Sequence, residues 1–327
     1  MTTSRRRGSA LLAVLWLTAA LTAIAFSVAL TVRGETERVS TGEENVRAYY
    51  LAQGAIQRAI LYIQWAPSAG QADGTNPYFT TGQAQMLLNF PSGQVQVDVI
   101  PEASKLDLNH AEAPVLANLM VALGATPDQA QLLAAGIIDW RQGNGPGQTT
   151  EFDQYYLSQT PSFHAPHASF QEVEELMNLQ GMTPELFYGT WVRGGEGDES
   201  RLIARGGVRD CVSVFGSTTS FDASWVQPAV LASTGASADD IQAVLAFQRS
   251  SPLHSPAQLA DFAAQDPSLA SHLSLMPHTI YTLRATARLR RPDGSFSDLR
   301  RTVSAMVKLL PAGSEQPFHI LRWYDRG

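Results

Sequence analysis

The chain has 327 residues, of which 44% are hydrophobic and 16% charged, and its formal net charge at pH 7 is -7. This composition is typical of a globular protein with room for about two domains, and it excludes a disordered chain. Nucleic-acid surfaces need clustered Lys and Arg to neutralise phosphates, so the acidic balance disfavours that class. The single cysteine, Cys211, has no partner for an internal disulfide.

The first predicted element is a membrane helix. Three arginines at positions 5–7 precede Gly8, and the uncharged run 9–32 ends only at Arg33. Such a run is long enough to cross the hydrocarbon core of a bilayer, which takes roughly 20 apolar residues in a helix. Because the arginines lie before the run, we expect the leader 1–8 to stay in the cytoplasm and the body of the protein to lie outside.

The helical pattern continues beyond the membrane run. Apolar residues recur there at intervals of three or four, at Val46, Tyr49, Ala52, Ile56, Ile60 and Ile63. The sequence therefore predicts one helix over 9–66, on the order of 85 Å long, whose second half lies on a globular domain. Gly34 and Gly42 mark where such a helix would bend.

Alternating apolar and polar residues then predict strands that are far apart in the chain. The pattern runs over 94–99 and returns over 281–290 and 299–309, and the turn 292–294 (Pro-Asp-Gly) makes the last two a hairpin. A further strand is predicted over 208–215. Together these segments predict an antiparallel sheet.

Two helical blocks lie between the strands and resemble each other at an offset of about 115 residues, 106–128 and 221–239. Each block is predicted to begin its first helix with a capping box, Asn109 with Glu112 and Ser224 with Gln227. Each then continues through a Gly-Ala-Thr/Ser-x-Asp turn into a second apolar helix. The repeat predicts two related helical modules.

Six motifs follow one another along the chain: Arg-Arg-Gly before Ala-Leu-Leu-Ala-Val-Leu-Trp-Leu, Lys105–Asn109, Ile138–Arg141, Glu172–Leu176, Gly181–Leu186 and Ile320–Trp323. In this order they resemble the minor pseudopilin K family (general secretion pathway protein K) of type II secretion systems. The resemblance implies a pilin-like domain that carries inserted sterile-alpha-motif-like (SAM-like) domains at the tip of a short periplasmic pseudopilus.

The expected fold class is therefore α+β, with a pilin-like long N-terminal helix packed on an antiparallel sheet and inserted all-α SAM-like (helix-hairpin-helix-like) modules. We expect the chain to divide into a leader 1–8, an N-terminal helix 9–66, a pilin-like domain of 67–103 with 191–218 and 274–327, a first helical module 104–190 and a second helical module 219–273.

The resemblance also implies how the N-terminus is processed. A prepilin peptidase would cut between Gly8 and Ser9 and methylate the new terminus, although Ser9 stands where the family usually has phenylalanine, so methylation stays open. Ala13, the fifth mature residue, stands where most pseudopilins carry glutamate. A glutamate in lipid is costly unless paired, and in the family it is thought to neutralise the terminus of the subunit ahead. Ala13 therefore fits a subunit with nothing ahead of it, at the tip.

The implied partners are the minor pseudopilins I and J, with H as a further candidate, the prepilin peptidase and the inner-membrane secretion platform. The implied location is the bacterial inner membrane, with one membrane pass and a periplasmic body. Two other functions stay open. One is a minor pilin of a type IV pilus, and the other is a membrane-anchored helix-hairpin-helix DNA receptor, to which the turn 179–182 is similar. Glu172, Glu174 and Glu175 near that turn suit phosphate binding poorly.

Motifs of the common enzyme classes are missing from the sequence, among them Gly-x-Ser-x-Gly, His-Glu-x-x-His and the P-loop. We therefore expect no enzyme and no certain cofactor. The family resemblance implies calcium in an acidic loop, but the loop 142–154 keeps only Glu151 and Asp153 as carboxylates, so a metal-free loop is favoured over a weak calcium site. His164 and His167 lack a third ligand at a recognisable spacing and are expected in a solvated loop.

The predicted hairpin carries an unusual number of arginines for an acidic protein. They are Arg284, Arg288, Arg290, Arg291, Arg300 and Arg301. They form either the solvated side of an antiparallel sheet or a surface for acidic partners, and for the second role Arg284, Arg288, Arg290 and Arg300 are the candidates.

Overall fold

The structure is a computed structural model of the chain, and it describes residues 7–65, 76–143, 148–193, 202–250, 256–265, 271–311 and 314–325. The helices are α1 (Arg7–Ile63), α2 (Ala113–Ala122), α3 (Pro127–Arg141), α4 (Glu151–Ser158), α5 (Pro184–Tyr188), α6 (Val208–Cys211), α7 (Pro228–Ser233), α8 (Ala238–Ser250) and α9 (Pro256–Gln265), with 3₁₀ helices at Glu102–Ser104 and Val173–Asn178. The strands are β1 (Gln85–Phe90), β2 (Gly93–Pro101), β3 (Leu106–Asp107), β4 (Thr190–Arg193), β5 (Leu202–Arg205), β6 (Val212–Ser213), β7 (Phe221–Asp222), β8 (Leu273–Ser274), β9 (Ile280–Arg290), β10 (Phe296–Leu309) and β11 (Phe318–Tyr324).

Helix α1 is one continuous element of 57 residues. It passes through Gly34 and Gly42 without an interruption, so the helix does not break at either predicted bend. It ends at Ile63, where the side-chain amide of Asn76 donates to the carbonyl oxygen of Tyr62 at 2.7 Å. This bond satisfies one of the free carbonyl groups that every helix leaves at its C-terminus.

The second half of α1 packs on the sheet through small side chains. The fully buried residues of this face are Ala48, Ala52, Ala55, Ile56, Ala59 and Ile60. The predicted stripe is wrong at Val46, whose side chain is 56% exposed. The alanines, spaced by three and four, bring the helix backbone close to the sheet, and this close approach defines the buried face.

The main sheet is antiparallel, with strand order β1-β2-β9-β10-β11. The distant segments meet at its centre, where Val97 pairs with Ala285 and Ala285 pairs with Val303. All three side chains are fully buried under α1. The predicted α+β class, a long N-terminal helix on an antiparallel sheet with helical modules inserted, is confirmed.

The two helical modules share one hydrophobic core, which is separate from the core between α1 and the sheet. Helices α2 and α7, equivalent in the repeat, lie against each other. The side-chain amide of Asn118 donates to the carbonyl of Ser233 at 3.4 Å. These two residues are 115 positions apart, which is also the offset between the two copies of the repeat. The modules therefore pack through equivalent surfaces.

The predicted capping boxes at the start of α2 and α7 are wrong. The cap residues are Glu112 and Gln227, and neither makes a side-chain capping bond. A proline in the first turn of each helix lowers the number of free N–H groups to be capped. The carboxylates of Asp107 and Asp222 instead accept the backbone N–H two residues later, at 2.8 and 2.9 Å.

The turn after each of these helices is the same in both modules. Gly124 has φ +97° and Gly235 has φ +92°, a left-handed conformation that favours glycine. The residue after each glycine donates its N–H back to the helix, from Ala125 to the Met120 carbonyl and from Ala236 to the Leu231 carbonyl. The repeated Gly-Ala dipeptide is therefore a helix stop signal with a geometric cause.

The predicted strand over 208–215 is wrong, because its first half is helix α6 and only Val212–Ser213 form a strand. Gly207 and Asp210 close the turn that starts this helix, through the N–H of Asp210 and the carbonyl of Gly207 at 3.1 Å. Strand β6 pairs in parallel with β3, and Val208, Cys211 and Val212 are buried in the helical core. This part of the segment 191–218 thus packs with the helical modules and not, as expected, with the pilin-like domain.

Candidate functional site

The first half of α1 is a largely apolar surface that the other described residues leave uncovered. Every described side chain from Ala10 to Gly42 is exposed, and Trp16 is exposed by 74%. The segment has the length and composition of a membrane span. The hydroxyl groups of Thr18, Thr22 and Thr31 donate to carbonyls of their own helix at 2.7–3.0 Å, so these three groups are satisfied without water.

The predicted processing residues lie at the start of this helix. Gly8 and Ser9 are within α1, and Ala13 is exposed one turn further on. Residues 1–6 of the leader lie outside the described residues. Cleavage between Gly8 and Ser9, and the tip-marking role of Ala13, stay predictions.

A shallow groove runs along α1 where the helix reaches the sheet. Val46 and Tyr50 form its helix side, and Phe90 and Leu289 form its sheet side. Val46 and Tyr50 are exposed, although both are apolar or aromatic. An exposed apolar groove next to a membrane helix is a surface on which another helix could pack.

The four candidate arginines lie on the face of the sheet opposite α1. Arg300 pairs with Arg288, and Arg284 pairs with Asp98. The guanidinium groups of Arg288 and Arg290 lie 5.5 and 4.8 Å from the ring centre of Phe296, within the range of cation–π attraction. The structure therefore brings these four residues to one surface.

The other two arginines of the hairpin have different positions. Arg301 lies on the α1 side, where its guanidinium is 5.8 Å from the ring centre of Tyr49 and donates to the Asp325 carbonyl at 2.8 Å. Arg291 pairs with Asp298 at 3.3 Å. The side-chain alternation of a strand explains the split, because neighbours such as Arg300 and Arg301 point to opposite faces.

The two carboxylates that were expected to bind calcium, Glu151 and Asp153, have different environments in the structure. Glu151 is exposed, whereas the Asp153 side chain is buried at the start of α4. Asp153 accepts the backbone N–H of Thr150 at 2.9 Å and the Nε2 of His167 at 2.9 Å. The Nδ1 of His167 lies 3.2 Å from the carbonyl oxygen of Asp139. In the part of the chain that the structure describes, no three His, Cys, Asp or Glu side chains are grouped as metal ligands.

The charges of Asp153 and His167 lie in a partly buried environment, and burial alone would disfavour both. Burial opposes ionisation of Asp153, but hydrogen bonds from Thr150 and His167 outweigh it and hold the pKa of this carboxyl below its usual value. Burial likewise opposes the charge of His167, but the Asp139 carbonyl and the Asp153 carboxylate outweigh it and raise its pKa. Burial raises the pKa of the Asp139 carboxyl.

The expectation of a solvated loop is correct for His164 and wrong for His167. His164 is exposed, but the His167 side chain is only 17% exposed and has hydrogen-bond partners at both ring nitrogens. Its partners, Asp139 and Asp153, are 28 and 14 residues away in the chain. Such distant contacts leave no local spacing that sequence inspection could detect.

Sequence reasoning also missed Glu102, which is fully buried between the sheet and the helical modules. Its Oε1 accepts from Lys105 at 2.9 Å and from the Thr282 hydroxyl at 2.6 Å. Burial opposes its charge, but Lys105 and the hydrogen bonds outweigh it and keep the pKa of Glu102 low. A cavity of about 300 Å³ opens beside it, lined also by Arg209 and Trp225.

Two further polar contacts join the modules to the segments that surround them. Arg322 of β11 pairs with Glu172 at 2.6 Å. His278, just before β9, pairs with the buried Asp222 of β7 at 2.7 Å. Together with Glu102, these contacts fix how the helical modules sit on the sheet.

Comparisons with known proteins point in one direction. Residues 95–188 match the model of the first domain of type II secretion system protein K. The chain is 24% identical over 196 residues to the type II secretion system protein K of Klebsiella pneumoniae, and the matched part covers 56% of this chain and 60% of that relative.

The structure is similar to a chain in the crystal structure of the GspK–GspI–GspJ complex from the type II secretion system of enterotoxigenic Escherichia coli. The TM-score is 0.53 at 15% sequence identity, and the match covers 88% of this chain and 98% of that chain. At this identity the likeness shows the shared fold.

Proposed function

We propose that the chain is a member of the type II secretion protein K family and acts as the minor pseudopilin at the tip of the pseudopilus, in the assembly of the protein-export machinery. It does so as a structural subunit that converts no substrate. The observation that carries this proposal is the division of α1 into an exposed apolar half and a half buried on the sheet.

This division gives the two halves different tasks. The apolar half anchors the protein as a single-pass span in the inner membrane, with the leader in the cytoplasm and the body in the periplasm. The arginines before the span and the globular body after it support this orientation. The buried half of α1 holds the body in a fixed position relative to the membrane.

The partners that this proposal names are the minor pseudopilins I and J. The similar solved chain was crystallised with GspI and GspJ, and the groove beside Val46 and Tyr50 offers this chain a surface for a neighbouring pseudopilin helix. Minor pseudopilin H and the inner-membrane platform are further partners that the family resemblance implies.

A position at the tip accounts for Ala13 and for the bulk of the helical modules. A subunit with nothing ahead of it needs no intramembrane glutamate to pair with a preceding terminus. The two modules, inserted between β2 and β9, add a mass that a subunit inside a tightly packed filament could not easily accommodate.

The DNA-receptor alternative finds no support in the structure. The turn at Gly181 packs on α3, where the Gln129 side-chain amide donates to the Gly181 carbonyl at 2.8 Å and Leu132 lies against the glycine. The N–H of Met182 in the same turn donates to the Leu179 carbonyl at 3.1 Å, so this group is not free to bind a phosphate.

The proposal is tested by copurification of the full-length chain with I and J from the same organism. We expect a stable complex that Val46→Glu weakens, because a carboxylate in the groove would be desolvated by the partner helix. Val121→Glu, at an exposed valine of α2, is the matched control and leaves the complex intact. Failure of the wild type to copurify with I and J would contradict the proposal.

Processing is tested separately by mass spectrometry of the protein purified from membranes. We expect the mature chain to start at Ser9, and Gly8→Ala to leave an uncut precursor. A mature protein that still begins at Met1 would contradict the pseudopilin assignment of the leader.

A further inference from the structure

We propose that the side chain of His167, and not a divalent cation, provides the positive charge that joins α3 to α4, so that the first helical module of this chain folds without calcium. The family resemblance implies calcium in this loop, and the donor set of this chain does not fit that ion. The disagreement is explained by the way the histidine is held.

The carboxylates available to a cation are few and already engaged. Calcium takes six to eight oxygen ligands, several of them from carboxylates. The sequence has no Asp or Glu between Gln142 and Thr150. Asp153 is buried, and its two oxygens accept from Thr150 and His167. Glu151, the other candidate, is exposed.

The ring of His167 faces an acceptor at each nitrogen. Nε2 is 2.9 Å from the Asp153 carboxylate, and Nδ1 is 3.2 Å from the Asp139 carbonyl, neither of which can donate a proton. Both contacts are hydrogen bonds only if the ring carries a proton on each nitrogen. The geometry therefore selects the imidazolium, which is a cation.

The imidazolium lies between two helix ends that favour its charge pattern. Asp139 is in the last turn of α3, where the free carbonyls carry partial negative charge, and Asp153 is in the first turn of α4, where a carboxylate is favoured. The N–H of Ala168 donates to the carbonyl of Trp140 at 3.1 Å, so the segment that carries His167 is bonded to α3 at two neighbouring positions.

A second hydrogen bond and a group of aromatic rings surround this contact. The Asp139 carboxyl accepts from the Thr150 hydroxyl at 3.2 Å, which ties α3 to the start of α4 a second time. The ring of Trp140 stacks on Phe170 at 5.8 Å and meets Tyr156 edge-on at 5.5 Å. The histidine thus completes a polar bridge between α3 and α4 at the edge of an aromatic cluster.

The test measures thermal unfolding of the full-length protein in detergent. We expect the melting temperature of the wild type to be the same in millimolar calcium and in excess EDTA. We expect His167→Ala to lower the melting temperature by about 5 °C, the size of shift that losing one such contact produces in a domain of this length. His164→Ala, an exposed histidine three residues earlier, is the matched control and leaves it unchanged.

Two results would overturn the proposal: a wild-type melting temperature that calcium raises and EDTA lowers, or a His167→Ala variant that melts with the wild type. If His167→Ala does not fold, the calcium response of the wild type and isothermal titration of the wild type with calcium decide the question alone.

Discussion

Replacement of Glu102 by glutamine tests how the helical modules are held on the sheet. The substitution keeps the shape of the side chain and removes its charge. In the structure Glu102 is fully buried, and its Oε1 accepts from the Lys105 ammonium and from the Thr282 hydroxyl. The Lys105 side chain, only 15% exposed, would then lose the carboxylate that compensates its charge.

The expected cost follows from this loss. Breaking a buried ion pair by removing one partner costs about 3–5 kcal/mol, because the remaining charge is left uncompensated. The Thr282 hydrogen bond can survive at the amide oxygen of glutamine, so we expect a cost near the lower end, about 3 kcal/mol. For a body of this size that corresponds to a fall of about 6–12 °C in melting temperature.

Urea and thermal unfolding of the full-length protein in detergent would measure this cost. Glu112→Gln is the matched control, because Glu112 is exposed and makes no side-chain capping bond, and we expect it to be neutral. The double variant Glu102→Gln with Lys105→Met should be less destabilised than the sum of the single variants, since both charges are then removed. A Glu102→Gln variant within about 0.5 kcal/mol of the wild type would refute the reasoning.

Three further predictions concern other parts of the protein. Ala13→Glu would place an unpaired carboxyl in the membrane at a cost of roughly 2.5 kcal/mol or more, and should reduce secretion; normal secretion and normal crosslinking to neighbouring subunits would remove Ala13 as a tip marker. The pair of His167 and Asp153 should stabilise the protein most between pH 3.8 and pH 6.5, the ordinary pKa values of the two groups, since folding raises the His167 pKa and lowers the Asp153 pKa. The melting temperature should therefore decrease when the pH rises through the folded pKa of His167, and also when the pH drops through the folded pKa of Asp153. His167→Ala should flatten the decrease on the high-pH side. Arg300→Glu should slow association with I and J by about tenfold at low salt if the arginine face meets an acidic partner. The control is Arg249→Glu, at an exposed arginine in the last turn of α8, away from that face. Equal association rates for the two variants would identify the arginine face as plain solvated surface.

Much of the fold is predictable because its signals are local and periodic. The uncharged run 9–32 and the alternation over 281–290 and 299–309 each specify an element by the spacing of apolar residues. The repeated glycines at 124 and 235 mark helix ends, because few other residues adopt a positive φ.

Other features escape sequence inspection because two patterns compete over the same short segment. Residues 208–215 read as a strand from their valines, but Gly207 and Asp210 start a helical turn there. On α1 the spacing of apolar residues predicts that Val46 is buried, but Val46 is exposed and the alanines form the buried face. Spacing alone does not reveal that alanines allow the closest approach of the helix to the sheet. At 208–211 one local signal thus overrides another, whereas at Val46 packing decides.

For this protein, the sequence by itself determined the membrane helix, the sheet-forming segments, the repeat and the family resemblance, because each depends on residues close together in the chain. Only the tertiary structure decided which arginines share a face, how Glu102 is compensated, and that His167 joins Asp139 to Asp153. The contacts of His167 with Asp153 and Asp139 and of Glu102 with Thr282 connect residues 14 to 180 positions apart, and the arginine face depends on strand register. Their energies depend on burial and on the direction of individual side chains, which exist only once the chain has folded.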